Sequence, residues 1–255
     1  MKLSTYHHFC TELAYKAGRI TLGYFNTGIQ PEFKKDDSPV TAADRAAETF
    51  IRAEIEKHYP THSILGEEFG HTGSAGNSFR WIIDPIDGTK SFMRGVPLYA
   101  VLIGLEIDGE IQVGAAYYPG TDEMLCASKG NGAWWNGKQA QVSSVSDLSQ
   151  AYVCYTNITN MAKYNRSAEW DKIAAASFTT RGWSDAYGYL LVATGRAEVM
   201  LDPIMSVWDC APFPVILKEA GGFFGSWNGI EGHTHNEAMA TNQALLASVN
   251  EIFQT

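Results

Sequence analysis

The alternation of apolar and polar residues in the first sixty positions predicts two amphipathic helices. Apolar side chains recur every three or four positions through residues 3–25, which is the spacing of one helical face. Thr41 is a good helix N-cap, and Asp44 follows it three positions later in capping-box register. The second helix therefore begins after Thr41 and ends before Pro60. The polar segment 34–39 is predicted to be the loop between the two helices.

Short apolar runs bounded by turn residues predict strands in the rest of the first half. Asp108-Gly109 and Asn136-Gly137 are dipeptides that favour tight hairpin turns. The segment 70–78 is rich in Gly, His, Thr, Ser and Asn, which predicts a mobile loop. The first half thus reads as two helices followed by a largely antiparallel sheet. Its predicted strands are residues 63–66, 79–84, 99–107 and 110–118.

Strands and helices alternate in the second half, which begins after the polar stretch 143–150. We place the boundary there, giving an N-terminal half at 1–145 and a C-terminal half at 146–255 within one compact unit. The mixture predicts an α/β (α+β) protein. The predicted elements of this half are strands at 152–155 and 197–201 and helices at 186–194 and 209–220.

Composition narrows the function class. The 255-residue chain is 45% hydrophobic and 18% charged, as expected of a protein with a large core. Its formal charge of −9 argues against a nucleic-acid partner. The four cysteines are scattered without a CxxC pair, which favours reduced core thiols. The N-terminus lacks the apolar run of a signal peptide, and no stretch approaches ~20 apolar residues, so we expect a cytoplasmic protein without a membrane partner.

Acidic residues follow apolar segments at three separate places in the chain. Pro85 fixes the turn between Asp84 and Asp87, and the backbone carbonyl of Ile86 offers a further oxygen ligand. Hard oxygen ligands gathered from distant segments suit Mg²⁺ or Mn²⁺. A single buried acid is also explained by a salt bridge or a helix cap. The acidic positions are Glu67 with Glu68, Asp84 with Asp87, and Asp209.

The turn after Asp87 predicts an anion site. Residues 88–91 read Gly-Thr-Lys-Ser and are predicted to begin a short helix. The unpaired N–H groups and the dipole of a helix start favour a phosphate. Lys90 either neutralises that phosphate or lies on a solvated face. Metal ligands beside a phosphate cradle indicate metal-assisted phosphate chemistry.

Five segments of the chain form a recognisable set of motifs. They are residues 36–44, Gly66-Glu67-Glu68, residues 84–89, residues 208–212 and residues 219–222. Together they resemble the inositol-monophosphatase-like family of metal-dependent phosphomonoesterases, and they occur in the family order across nearly the whole chain. The resemblance implies a layered αβαβα sandwich of the inositol monophosphatase and fructose-1,6-bisphosphatase type, a homodimer, and inhibition by lithium.

The resemblance also implies a role for each motif residue. Two or three Mg²⁺ ions would bind, and a water that they activate would attack the phosphate in line with the leaving group. Thr89, oriented by Asp44, would position and help deprotonate that water. Glu67, Asp84 and the Ile86 carbonyl would hold the first ion, and a weaker third would lie near Glu67. Asp84, Asp87 and Asp209 would hold the second. The backbone amides of Gly88 and Thr89 would hold the phosphate. Lys90 and Ser91, from the predicted helix start, complete the candidate phosphate-binding residues.

The resemblance implies a small phosphate monoester as the substrate, and three segments resemble the histidinol-phosphate phosphatase branch of the family. They are residues 88–92, 181–189 and 198–203. Histidinol phosphate carries an ammonium and an imidazole, so its site should supply carboxylates beyond the metal ligands. Asp185 and Asp202 are the candidates. Asp185 is also explained as a helix cap, and Asp202 lies where the inositol enzymes place a ring-binding glutamate.

Two alternatives to L-histidinol phosphate hydrolysis stay open at this point. The first is an inositol-1-monophosphatase or a broad-specificity sugar-phosphate phosphatase, because an acid at position 202 fits either substrate. The second is a regulatory protein that binds metal without turnover. The intact set of proposed ligands, together with Thr89 and Asp44, favours an enzyme.

Overall fold

The computed structural model describes residues 2–33, 39–74 and 76–254, so the predicted loop at 34–39 lies outside it except for Pro39. The helices, in chain order, are α1 (Leu3–Leu22), α2 (Ala42–His58), α3 (Thr89–Met93), α4 (Ile158–Lys163), α5 (Ser167–Ala176), α6 (Asp185–Ala193), α7 (Val207–Cys210), α8 (Phe213–Glu219) and α9 (Gln243–Gln254). The strands are β1 (Glu32–Phe33), β2 (Pro39–Val40), β3 (Ser63–Gly66), β4 (Gly70–Thr72), β5 (Phe79–Asp87), β6 (Ala100–Ile107), β7 (Glu110–Tyr118), β8 (Glu123–Ser128), β9 (Ala133–Trp135), β10 (Lys138–Gln139), β11 (Tyr152–Tyr155), β12 (Thr179–Arg181), β13 (Val199–Asp202), β14 (Gly222–Gly225) and β15 (Ala238–Asn242).

The first large sheet has eight strands in the order β10-β9-β8-β7-β6-β5-β3-β4. Adjacent strands in this sheet are antiparallel except for β3 and β5, which run parallel to each other. Asp108-Gly109 and Asn136-Gly137 form the tight turns of the two predicted hairpins. The largely antiparallel sheet that the sequence predicts is therefore confirmed, with one parallel pair whose strand ends meet on the same side.

The second sheet is mixed and has five strands in the order β12-β11-β13-β15-β14. β11 runs parallel to both of its neighbours, whereas β13 and β14 each pair with β15 in antiparallel fashion. The carboxyl ends of β11 and β13 therefore lie at one edge of this sheet.

Helices cover both sheets and separate them. α1 and α2 pack on one face of the larger sheet, where Leu13, Ile51 and Trp81 belong to one apolar cluster. α6 and α8 lie between the sheets, in a cluster that includes Leu102 of the first and Met200 of the second. α5 and α9 cover the outer face of the smaller sheet. The order α/β/α/β/α confirms the layered sandwich.

Beyond shifts of one to three residues at element ends, three predicted segments differ from the structure. The predicted helix 209–220 is two helices, α7 and α8, because Pro212 has no N–H with which to continue a helix through its own position. The predicted loop 70–78 includes β4, which pairs with β3 through backbone hydrogen bonds that composition does not reveal. The strand predicted to stop at Asp84 continues to Asp87 with an irregularity in its register.

The helices within the described residues include none whose length and apolar content match a membrane span. The four cysteines are buried free thiols, as the sequence predicts.

Candidate metal and phosphate site

Three of the predicted metal ligands meet at the end of β5. Asp84 and Asp87 lie on that strand, and Asp209 lies in the first turn of α7. One carboxylate oxygen of each lies within 4.8 Å of the other two. Glu67 follows β3, the parallel neighbour of β5, and its carboxylate is close enough to raise the pKa of Asp84. The structure thus brings together the four carboxylates that the sequence proposed as ligands.

An irregularity in β5 places two of these acids on one side. In a regular strand, residues three positions apart point to opposite faces of the sheet. The pairing with β6 shifts register between Asp84 and Asp87, around Pro85. The Asp84 carboxylate accepts a hydrogen bond from the Ile86 N–H at 2.9 Å, which stabilises the turn. The carbonyl of Ile86 accepts from Thr89 Oγ1 at 3.1 Å.

The electrostatics of this cluster fit a divalent cation. Burial raises the pKa of Asp84 well above its ordinary value, and the nearby carboxylates of Glu67, Asp87 and Asp209 raise it further. Burial raises the pKa of Asp209 to about 7, and the charge of Glu67 adds to this rise. Buried carboxylates that repel one another in this way require protons or a cation. An all-oxygen donor set from separate segments is the kind that Mg²⁺ and Mn²⁺ prefer.

Asp44 and Thr89 lie beside the carboxylate cluster. Asp44 is fully buried and forms the predicted capping box of α2, accepting a hydrogen bond from the Thr41 N–H at 2.8 Å. Thr89 Oγ1 lies 3.5 Å from Asp44 Oδ1. Burial raises the pKa of Asp44 to about 6. This arrangement allows Asp44 to accept the proton of the Thr89 hydroxyl.

The predicted phosphate cradle is a helix start. Gly88 is the N-cap of α3 and adopts the left-handed conformation, with a φ of 84°. A Cβ at this position would lie 3.1 Å from the Leu98 carbonyl oxygen and 3.3 Å from Asp185 Oδ2. Glycine therefore suits both the backbone angle and the close approach. The first N–H groups of a helix have no partner within it, and they are available to an anion here.

A cleft of about 360 Å³ opens over the cradle. Lys90 is exposed at the rim of the cleft. This position is consistent both with neutralising a bound phosphate and with lying on a solvated face. Besides the predicted residues Glu67, Gly88, Thr89, Lys90, Ser91 and Asp185, the cleft is lined by Pro39, Thr156, Asn157, Asn160 and Ser184. Sequence analysis missed Thr156 and Asn157, although polar residues directly after strand β11 are the same signal that identified the acids.

The two candidate substrate carboxylates lie at different depths. Asp185 lines the cleft, where burial raises its pKa and the charge of Lys90 opposes that rise. Asp202 is only 3% exposed and accepts a hydrogen bond from the Tyr189 hydroxyl at 2.9 Å. Its pKa is raised to about 7 by burial. Of the two, Asp185 is therefore the one placed to meet a ligand directly.

Asp185 has an unusual backbone conformation. Its φ of 54° is in the left-handed region, which costs energy for a residue other than glycine but is tolerated by Asp. The cap of α6 is Ser184 rather than Asp185. The Asp185 N–H donates to Thr156 Oγ1 at 2.9 Å, and the next N–H, that of Ala186, donates to Asp87 Oδ2 at 2.6 Å. These bonds hold the strained turn against the carboxylate cluster.

The layered fold, the cluster of buried carboxylates and the adjoining anion cradle define a metal-dependent phosphatase. The sequence model described as "Inositol monophosphatase family" matches residues 2–254, so the chain belongs to the inositol monophosphatase family. The chain is thus a phosphoric monoester hydrolase by family.

Individual relatives agree with this assignment. A histidinol-phosphatase of Chlorobaculum parvum is 44% identical over 93% of this chain and 94% of its own. A histidinol-phosphatase of Mycobacterium tuberculosis is 36% identical over 91% of this chain and 92% of its own. The solved structure of an inositol monophosphatase from Anabaena superposes with a TM-score of 0.88 at 30% identity, covering 100% of this chain and 97% of that one.

Proposed function

We propose that the protein hydrolyses L-histidinol phosphate to L-histidinol and phosphate in a Mg²⁺-dependent reaction. The observation that carries the proposal is the Asp185 carboxylate, which lines the cleft beside Gly88 of the phosphate cradle. The similarity to two histidinol-phosphatases supports the same substrate.

The chemistry of histidinol phosphate matches this placement. Its ammonium is on the carbon next to the phosphate ester carbon, so it lies close to the phosphate when the substrate binds. An acid next to the cradle is therefore where the ammonium needs a partner. A charge-assisted hydrogen bond of this kind contributes about 1.5–3 kcal/mol.

In the proposed reaction, separate groups of residues bind the metal ions, transfer protons and hold the phosphate. Glu67, Asp84 and the Ile86 carbonyl would hold one Mg²⁺, and Asp84, Asp87 and Asp209 would hold a second. When bound, these ions polarise the phosphate ester and activate the attacking water. Thr89 Oγ1 orients that water and accepts its proton, while the Thr89 proton passes to Asp44 Oδ1. The N–H groups at the start of α3 hold the phosphate oxygens.

An inositol monophosphatase, or a broad-specificity sugar-phosphate phosphatase, is the second candidate. The structural similarity to the Anabaena inositol monophosphatase favours it. A carboxylate at position 185 also accepts a hydrogen bond from a sugar or inositol hydroxyl, so the position alone does not distinguish the substrates. The charge of the carboxylate does distinguish them. A hydroxyl group needs only a hydrogen-bond acceptor, whereas the ammonium of histidinol phosphate is stabilised by a negative charge.

The substitution Asp185→Asn tests the charge directly. Asn keeps an acceptor oxygen and tolerates the left-handed backbone. We expect kcat/KM for histidinol phosphate to fall about 10- to 100-fold, with a much smaller fall for myo-inositol 1-phosphate. Asp171→Asn, an exposed change on α5, is the matched control. Equal losses for both substrates would contradict a pairing between Asp185 and the ammonium.

The homodimer implied by the family resemblance remains a proposal, as does the division of the chain near residues 143–150. Sedimentation equilibrium tests the homodimer.

Separate expression of 1–145 and 146–255 tests the division of the chain. We expect the two parts to be active only when mixed, because the proposed metal ligands lie on both.

A further inference from the structure

Helix α2 carries a buried ion pair that has no part in the proposed chemistry. Arg52 Nε donates to Glu48 Oε1 at 2.8 Å, and the two side chains are 9% and 0% exposed. An ion pair of this kind is weak evidence for added stability, because desolvation offsets most of the attraction. Its contacts beyond the pair indicate a different role.

Glu48 and Arg52 form hydrogen bonds with the segment 66–72, which we name the strap. Glu48 accepts hydrogen bonds from the N–H groups of Glu68 at 2.7 Å and Phe69 at 3.1 Å. Arg52 donates to the carbonyl of Gly70 and to Thr72 Oγ1 at the far end of the strap. Glu48 and Arg52 together therefore fix the strap at four points.

Glu67, a proposed metal ligand, lies in this strap. Its own N–H donates to the Ile83 carbonyl of β5 at 3.2 Å, and the next two N–H groups are held by Glu48. The backbone of Glu67 is thus fixed by the strand that carries Asp84 and also by α2. A Cβ on Gly66 would overlap Glu48 Oε1, so the strap approaches Glu48 as closely as glycine permits.

Helix α2 also carries Asp44, one turn before Glu48. One rigid helix therefore sets the place of Asp44 and, through Glu48, the place of Glu67. We propose that Glu48 and Arg52 are positioning residues that hold Glu67 at the metal site, so that divalent-ion affinity depends on this buried pair. The inference rests on the metal site of the proposed function but not on the identity of the substrate.

The substitution Glu48→Gln tests the proposal. In the wild type, Glu48 faces three N–H donors, those of Glu68, Phe69 and Arg52. The NH₂ group of Gln is a donor and cannot replace an acceptor there. We expect the Kd for Mg²⁺, measured by calorimetry without substrate, to rise about 10- to 100-fold. We expect kcat at saturating Mg²⁺ to stay near the wild-type value.

Two further variants separate positioning from folding. Glu56→Gln makes the same change at an exposed position of the same helix and should leave Mg²⁺ binding unchanged. Gly66→Ala displaces the strap while keeping both charges, and it should also raise the Kd. Circular dichroism establishes that each variant is folded at the temperature of the titration.

The possible outcomes are distinct. A raised Kd in folded Glu48→Gln or Gly66→Ala, with kcat recovered at high Mg²⁺, supports the positioning role. A wild-type Kd in both variants, or a loss of activity that added Mg²⁺ does not recover, overturns it. Failure of the wild-type protein to bind Mg²⁺ would instead refute the metal site of the proposed function.

Discussion

The N–H of Ala186 donates a hydrogen bond to Asp87 Oδ2 at 2.6 Å and so joins α6 to the end of β5. This bond lowers the pKa of Asp87, against the larger rise caused by burial. Ala186 directly follows Asp185, so the backbone next to the candidate substrate carboxylate is hydrogen-bonded to a proposed metal ligand. Substrate and metal sites are therefore coupled by a single short contact.

Replacing Asp87 by Asn should abolish metal-dependent catalysis without unfolding the protein. The change removes one charge from a buried group of like charges, so the metal-free variant should be at least as stable as the wild type. We expect phosphate release to fall at least about 10³-fold. Thermal unfolding should show that the rise in Tm with added Mg²⁺, which we expect for the wild type, is absent in the variant. Undiminished phosphate release would mean that the assigned metal site is wrong.

The hydroxyl of Thr89 should matter more than its shape. Thr89→Val removes the oxygen that lies 3.1 Å from the Ile86 carbonyl and 3.5 Å from Asp44. We expect kcat to fall about 10²- to 10⁴-fold, as for loss of an acid–base group. Thr89→Ser keeps the hydroxyl and should keep most of the activity. Comparable rates for the Val and Ser variants would exclude a proton-transfer role.

The metal-free protein should lose stability as the pH rises. Burial raises the pKa of Asp209 from 3.8 to about 7, so the folded state holds this proton more tightly than the unfolded chain. The free energy of unfolding should therefore decrease from about pH 4 to about pH 7 and then level off. Tm measured in EDTA from pH 5 to 8 checks this. Saturating Mg²⁺ should reverse the trend, and a Tm in EDTA that rises with pH would contradict the prediction.

Lithium should inhibit the enzyme at millimolar concentration. Li⁺ is small and prefers oxygen ligands, so it should compete for the site formed by Asp84, Asp87 and Asp209 while supplying only one positive charge. Initial rates at a fixed Mg²⁺ concentration, with NaCl as the control for ionic strength, measure the effect. No difference between LiCl and NaCl would argue against competition at this site.

Much of the fold follows from local sequence signals. The capping box at Thr41 and the hairpin turn at Asp108-Gly109 are local patterns, and both are confirmed. The division of helix 209–220 was missed because a proline is tolerated in a first turn, and only the structure shows that Pro212 precedes a new helix. β4 was missed because its pairing with β3 depends on hydrogen bonds between segments rather than on composition.

The candidate site was foreseeable where acids follow apolar strands, as at Asp84. Sequence patterns gave less information where function depends on backbone conformation or on burial. The left-handed turn at Asp185 depends on partners distant in the sequence, Thr156 and Asp87. In the sequence, Glu48 and Arg52 look like an ordinary surface pair on a helix. The structure shows that both are buried and that they are hydrogen-bonded to the strap.

The most direct test of the central claim is phosphate release by the wild-type protein in Mg²⁺. Histidinol phosphate and myo-inositol 1-phosphate should be compared at equal, sub-saturating concentrations, with EDTA controls. We predict Mg²⁺-dependent release with a large preference for histidinol phosphate. A preference for the inositol ester, or equal rates, would contradict the proposed substrate, and release that is undiminished in EDTA would contradict the metal-dependent mechanism.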